Sequence, residues 1–141
     1  MRAERKEAEV VEEERELLVI KIDHMRNSSD YVKTLERWSD QLGVRGVLVV
    51  SADHGLVFLL EGDKLNTSNF LINWKTTNID VNSRGKPCKE RMIQILYRRA
   101  LDKGDEMLGE ISRDNFHLIK VTTIKSTFHD KKIGKILDSV L

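Results

Sequence analysis

The first half of the chain shows one period-2 pattern, one helical pattern and two short apolar runs. Residues 17–23 have large apolar side chains at every second position, which predicts a β-strand. After Asn27, which can cap a helix, apolar side chains recur at helical spacing as far as Gly43, a residue type that commonly ends helices. Apolar runs at 47–50 and 56–60 then predict two strands joined by a hairpin loop.

The predicted helix has one clearly apolar face. Leu35, Trp38 and Leu42 lie on that face, and Tyr31 precedes them by one turn. Because a helix of this kind buries its apolar face against a sheet, we expect Trp38 to be a core residue. The order strand, helix, strand, strand is therefore the first part of a mixed α and β unit.

The next segments complete a βαββαβ order. Asp63 can cap a second helix that runs toward Trp74, although the asparagine, threonine and serine residues of that helix are weak helix formers. Residues 75–81 are rich in threonine and β-branched side chains, which predicts a fourth strand. The predicted fold class is therefore α+β, with a ferredoxin-like core in which both helices pack on one face of an antiparallel sheet.

The remaining residues predict additions to that core. Pro87 suits the first position of a helix, and apolar side chains recur at helical spacing after it, which predicts a third helix over 87–101. We expect a polar loop at 102–115 and a further strand at 116–124. Residues 133–140 carry another helical stripe and predict a C-terminal helix.

Composition indicates one globular domain in a reducing compartment. The chain has 141 residues, of which 40% are apolar and 33% are charged, as is ordinary for a globular domain. No apolar run in the sequence has the length of a membrane helix, and a single cysteine excludes an internal disulfide. We interpret residues 1–15 as an acidic linker or solvated helix and residues 16–141 as the folded domain.

Charge is distributed unevenly, although the formal net charge is only +1. Residues 1–16 have a net charge of −3, from four Lys/Arg and seven Asp/Glu. Residues 17–141 have a net charge of +4, from twenty Lys/Arg and sixteen Asp/Glu. Residues 75–103 alone carry eight basic and three acidic side chains, and they include a turn predicted over 82–86. This basic bias is smaller than that of a dedicated nucleic-acid-binding domain.

Candidate reactive side chains are few and scattered. Asp23 and His24 are adjacent at the end of the first predicted strand, where acid–base catalysis competes with a simple strand-end hydrogen bond. Cys88 has cationic neighbours near a predicted helix start, so a reactive thiolate is one interpretation and a half-buried helix cysteine the other. The remaining histidines lack metal-ligand spacing. We predict no catalytic residue, no metal site and no cofactor.

Four short motifs carry a resemblance to a known family. They are Asp-His-Met-Arg at 23–26, Glu-Gly-Asp at 61–63, Ile-Asp-Val at 79–81 and Gly-Lys-Pro-Cys-Lys-Glu at 85–90. Their combination and spacing resemble the C-terminal half of the RWD domain-containing protein 3 family, known as sumoylation enhancers, over roughly positions 17–96. More distantly, the chain resembles the C-terminal domain of a splicing factor of the U4/U6 particle, which has a ferredoxin-like core and contacts RNA.

The resemblance implies regulation rather than catalysis. Family members bind the SUMO-conjugating enzyme mainly through an upstream RWD domain, which we do not expect in this chain. We therefore expect a non-enzymatic domain of the nucleus and cytoplasm that acts by protein–protein contacts with the SUMO-conjugation machinery. RNA binding is the alternative, and a membrane partner is not expected. The candidate interaction surface comprises His24, Arg26, Lys86, Lys89 and Arg91.

Overall fold

The computed structural model of the chain describes residues 14–90 and 92–141. Along these residues lie, in order, β1 (Arg15–Ile22), α1 (Ser28–Leu42), β2 (Arg45–Ser51), β3 (Gly55–Asp63), α2 (Lys64–Thr76), β4 (Asp80–Val81), β5 (Pro87–Cys88), β6 (Ile93–Leu101), a 3-10 turn (Leu108–Glu110), β7 (Phe116–Val121), α3 (Ile124–Phe128) and α4 (Lys132–Val140).

The larger sheet has the strand order β6-β1-β3-β2-β7. β3 lies between β1 and β2 and is antiparallel to both, and β6 is antiparallel to β1 on its other side. This is the arrangement of a ferredoxin-like fold, so the predicted fold class is confirmed. β7 extends the sheet beyond β2 and runs parallel to it.

One face of the sheet, covered by α1 and α2, holds an aromatic core. Trp38 on α1 is only 5% exposed, and its ring meets Phe70 of α2 edge-on with ring centroids 5.6 Å apart. Phe58 of β3 stacks on Phe70, and Trp74 packs edge-on against Phe70. The prediction that Trp38 is a core residue is confirmed.

The opposite face of the sheet is also covered, by the 3-10 turn, α3 and α4. Leu108, Phe128 and Leu137 from these elements pack in one cluster with Leu17 of β1. Successive strand residues point to opposite faces, so a sheet covered on both sides buries both sets. Residues 17–20 are accordingly all 0% exposed, and the sheet is the middle of three layers.

Several predicted element boundaries are confirmed. α1 begins directly after Asn27, although the Asn27 side chain makes no capping hydrogen bond, and it ends before Gly43, which adopts the left-handed conformation with φ 65°. α2 begins after Asp63, and the C-terminal helix is α4. The short helix α3 was not predicted. Of the linker predicted over residues 1–15, residues 1–13 lie outside the described residues. Arg15 is the first residue of β1.

The prediction of a fourth strand over 75–81 is wrong. The first two of these residues end α2, and only Asp80–Val81 forms a strand, which pairs with β5 in a separate two-stranded sheet. Phe70 and Trp74 of α2 are both 0% exposed. Their packing against the sheet outweighs the weak helix propensity of this segment.

The prediction of a helix over 87–101 is also wrong, because these residues contain β5 and β6. β6 occupies the place of the fourth ferredoxin strand, beside β1. Its register shifts so that one residue, Leu96, is inserted between the partners of Val19 and Ile20, which is a β-bulge. As a result Leu96 and its neighbour Tyr97 both contact the same core cluster, and this spacing imitates a helical stripe.

Candidate interaction groove

A groove with a volume of about 440 Å³ lies where the loop between β1 and α1 meets the β4–β5 hairpin. We call it the β4–β5 groove. Its lining includes His24, Arg26, Asp80, Cys88, Lys89 and Glu90. The two walls therefore come from segments that are far apart in the sequence and meet only in the folded chain.

Hydrogen bonds to Asp80 connect the two walls of the groove. Its carboxylate accepts backbone N–H hydrogen bonds from Arg26 at 3.0 Å and from Asn27 at 2.8 Å, where α1 begins. Burial acts to raise the pKa of Asp80, but these backbone donors outweigh burial and hold the pKa below its ordinary value. The ionised carboxylate of β4 therefore satisfies backbone donors that precede α1.

Asn82 orders the tip of the hairpin. Its side-chain oxygen accepts the backbone N–H groups of Arg84 at 2.9 Å and Lys86 at 3.1 Å. The Asn82 N–H in turn donates to the carbonyl of Lys86 at 2.8 Å. The turn predicted over 82–86 is confirmed, and it leaves the Lys86 side chain exposed.

Glu90 connects the hairpin wall to the aromatic core. One carboxylate oxygen accepts the Met92 N–H at 2.8 Å, and the other accepts the hydroxyl of Tyr31. The same hydroxyl accepts the indole N–H of Trp74 at 2.8 Å. Burial and the hydrogen bond to Glu90 raise the pKa of Tyr31 well above its ordinary value. A chain of polar contacts thus fixes this wall to the buried rings.

His24 forms a pair with its neighbour Asp23. Nδ1 of His24 lies 2.6 Å from a carboxylate oxygen of Asp23, and both side chains are about half exposed. The Asp23 N–H donates to the Met92 carbonyl at 3.2 Å and so holds the pair at the end of β1. This geometry fits the strand-end interpretation. Within residues 14–90 and 92–141, no three His, Cys, Asp or Glu side chains are grouped closely enough to hold a metal ion.

The fold brings together three of the five residues predicted for the interaction surface. His24, Arg26 and Lys89 line the β4–β5 groove, whereas Lys86 lies in the adjoining hairpin turn. Arg91 lies outside the described residues. The lysines therefore lie on a hairpin, and the helix predicted to carry them does not exist.

Cys88 lies on β5, half-buried, and not on a helix as predicted. Asp80 and Glu90 were not predicted as site residues, although both occur in the motifs that carry the family resemblance. Their partners Arg26 and Tyr31 are 54 and 59 positions away in the sequence. No local pattern indicates pairings over such separations.

Two relatives illustrate the similarity of the chain to known proteins. Over 92 residues it is 41% identical to RWD domain-containing protein 3 of Xenopus tropicalis, a match that covers 65% of this chain and 34% of that protein. Over 81 residues it is 41% identical to the Homo sapiens protein of the same name, with 57% and 30% covered. The chain is thus similar to RWD domain-containing protein 3 over more than half of its own length. The resemblance to RWD domain-containing protein 3 inferred from the motifs is confirmed, whereas the more distant resemblance to a splicing-factor domain stays a prediction.

The similarity to RWD domain-containing protein 3 is partial, because the chain spans about a third of the length of these curated relatives. No family model matches the chain. Among solved structures, BlsA in its photo-activated state has a TM-score of 0.54 at 16% identity and covers 91% of this chain and 85% of BlsA. Full-length HypF has a TM-score of 0.53 at 13% identity, with 79% of this chain and 13% of HypF covered. Identities this low show the fold alone.

The described ranges contain the four helices α1 to α4. None of them combines the length and the apolar character needed to cross a bilayer.

Proposed function

We propose that this chain is a non-enzymatic regulatory domain that acts in SUMO conjugation through protein–protein contacts made at the β4–β5 groove. The observation that carries the proposal is the 41% identity to RWD domain-containing protein 3 in more than one species. At the family level, this relationship supports a regulatory role through protein interaction.

The position of the motifs supports the groove as the contact surface. Three of the four motifs, residues 23–26, 79–81 and 85–90, contribute side chains to the lining of the groove, whereas the fourth, residues 61–63, lies elsewhere. They meet there only because the chain folds.

The charge of the groove supports an acidic partner surface. Arg26, Lys86 and Lys89 are exposed around it, and His24 lies beside them. Asp80 and Glu90 are engaged by backbone and hydroxyl donors, so their negative charges are already partly compensated. Complementary charge at the rim of an interface mainly steers association and fixes orientation.

Calorimetric titration of the domain with the SUMO-conjugating enzyme and, separately, with SUMO tests this proposal. Lys89→Glu should weaken binding roughly three- to tenfold, because charge reversal at a rim replaces an attraction with a repulsion. Lys135→Glu on α4 is the matched control, since Lys135 is also exposed but lies on the opposite side of the sheet, and this substitution should leave affinity unchanged. Binding to neither protein would contradict the proposal.

RNA binding is the second candidate, because the same exposed cations suit phosphate groups. A short single-stranded RNA titrated over a range of salt concentrations separates the two. Phosphate contacts release counterions, so RNA affinity would fall steeply with salt. Tight, salt-sensitive RNA binding without protein binding would favour the alternative.

The proposal includes the absence of catalysis and a location in both nucleus and cytoplasm. If the domain is not an enzyme, no SUMO thioester should form on Cys88 when activating enzyme and ATP are supplied. A thioester that disappears in Cys88→Ser would contradict this part. A fluorescent fusion imaged in living cells tests the location.

A further inference from the structure

β7 presents an open edge of the sheet. Within the described ranges it pairs only with β2, in an unbroken parallel register. The carbonyls of Asn115 and Val121 accept hydrogen bonds from the β2 side, at 2.7 and 3.2 Å. Hydrogen-bonding direction alternates along a strand, so Phe116, Leu118 and Lys120 direct their backbone N–H and C=O groups to the open side.

An apolar groove of about 490 Å³ lies beside this edge, between α1 and the sheet. We call it the β7 groove, and its apolar lining comprises Met25, Val32, Leu48, Val50, Leu56 and Leu118. Leu118 is 40% exposed although it is a large apolar residue. Two of the three residues that offer free backbone groups, Leu118 and Lys120, thus also line an uncovered apolar surface.

Two lysines give the β7 groove a positive rim. Lys33 of α1 and Lys120 of β7 both contribute to its lining. The remaining polar lining residues, Ser28 and Ser29, are uncharged. The charge of the groove is therefore complementary to a ligand with negative ends.

We propose that β7 and the β7 groove bind an extended peptide segment of a partner protein, apolar at alternate positions and flanked by acidic residues. The segment adds a strand to the sheet, and its backbone pairs with Phe116, Leu118 and Lys120. Its apolar side chains enter the groove, while its acidic ends meet Lys33 and Lys120. Strand addition takes affinity from backbone pairing and specificity from alternate side chains.

The other edge strand, β6, is protected against such pairing. It contains the β-bulge at Leu96 and the consecutive cations Arg98 and Arg99, both of which are devices that discourage strand addition. β7 has an uninterrupted register with β2 and carries one cation, Lys120. Of the two edge strands, β7 is therefore the one that is available for strand addition, and β6 serves as the comparison within the same molecule.

The test is a resonance-by-resonance titration of the isotope-labelled chain with a designed peptide that alternates valine and threonine and has a pair of glutamates at each end. We expect shift changes concentrated at Phe116, Leu118 and Lys120 and in the lining of the β7 groove. Two N-methylated forms of the peptide, one methylated at the odd-numbered residues and one at the even-numbered residues, should behave differently. One form should not bind and the other should still bind, because only one set of peptide amides faces β7. Changes confined to β6, or equal effects of both methylation patterns, would overturn the proposal.

Protein variants give a second readout. Leu118→Glu should weaken the peptide roughly tenfold, and Lys120→Glu roughly two- to fivefold. Leu65→Glu on α2 is the matched control, because Leu65 is 69% exposed and lies away from the groove, and it should leave affinity unchanged. If the Leu118 variant fails to fold, the double reversal of Lys33 and Lys120 to glutamate should still shift preference to a peptide with lysine ends. Self-association of the chain through β7 would identify a second copy as the occupant and overturn the proposal.

Discussion

Substitution of Asp80 by asparagine perturbs the contact that joins β4 to the start of α1. Asp80 is 7% exposed as a residue, and its carboxylate accepts backbone N–H groups from Arg26 and Asn27. Hydrogen bonds to a charged group contribute about 1.5–3 kcal/mol each, whereas burial of the carboxylate opposes them. Asparagine keeps one acceptor oxygen but loses the charge. We therefore expect Asp80→Asn to lower the free energy of unfolding by about 1–2 kcal/mol at pH 7.

The effect of Asp80→Asn should depend on pH in a defined direction. The pKa of Asp80 is lower in the folded state than in the unfolded state. Asp80 therefore contributes to the free energy of unfolding at pH values above its unfolded-state pKa, and this contribution is lost as the pH falls through its folded-state pKa. The difference between wild type and variant should shrink between about pH 5 and pH 2. Urea melts at several pH values measure it.

Asp63→Asn provides a matched control for Asp80→Asn. Asp63 precedes α2 at its N-cap but makes no side-chain capping hydrogen bond. Its substitution should cost about 0.5 kcal/mol or less. A loss of stability in Asp80→Asn that is no larger than the loss in Asp63→Asn, or one that stays constant down to pH 2, would refute the conclusion that the ionised Asp80 carboxylate joins β4 to the start of α1.

Three further predictions concern buried contacts. Trp38→Ala should lower the free energy of unfolding by about 3–5 kcal/mol in denaturant melts, and a loss below about 1 kcal/mol would contradict its core position. Tyr31→Phe leaves the Trp74 indole N–H without its acceptor and should cost about 1–3 kcal/mol. Because the pKa of Tyr31 is raised, wild-type stability should also fall above about pH 10, and this fall should be smaller in the variant. Arg98→Ala removes both guanidinium hydrogen bonds from the buried Glu16 carboxylate and should cost about 1–3 kcal/mol, less than for a fully buried pair; an unchanged denaturation midpoint would refute it.

The first part of the fold could be predicted because its local signals agree with one another. α1 has an apolar face that contains Trp38, and the left-handed Gly43 follows its last residue. β2 and β3 are apolar runs of strand length with a short turn between them. Where pattern, cap and turn indicate the same element, tertiary packing reinforces the local preference.

β6 could not be predicted because its irregularity changes the spacing of its apolar residues. A regular strand directs successive residues to opposite faces of the sheet, but the inserted Leu96 and the adjacent Tyr97 contact the same cluster. The resulting spacing matches a helix as well as it matches a strand. The bulge becomes visible only once β1 supplies the register.

Some residues of the β4–β5 groove could be predicted from the sequence, but the contacts that hold them together could not. The motifs identified His24, Arg26 and Lys89, which do line the groove. The anchors Asp80 and Glu90 act through partners more than 50 positions away, so their roles depend on the assembled fold. Sequence patterns report local periodicity and do not specify such long-range pairings.

The most direct test of the proposed function is a residue-by-residue titration of the isotope-labelled chain with the unlabelled SUMO-conjugating enzyme and, in a separate series, with SUMO. We predict that at least one of these proteins shifts resonances in residues 23–26 and 79–90, and that Lys89→Glu reduces those shifts while Lys135→Glu does not. Saturation with both proteins and no change in these two segments would contradict it.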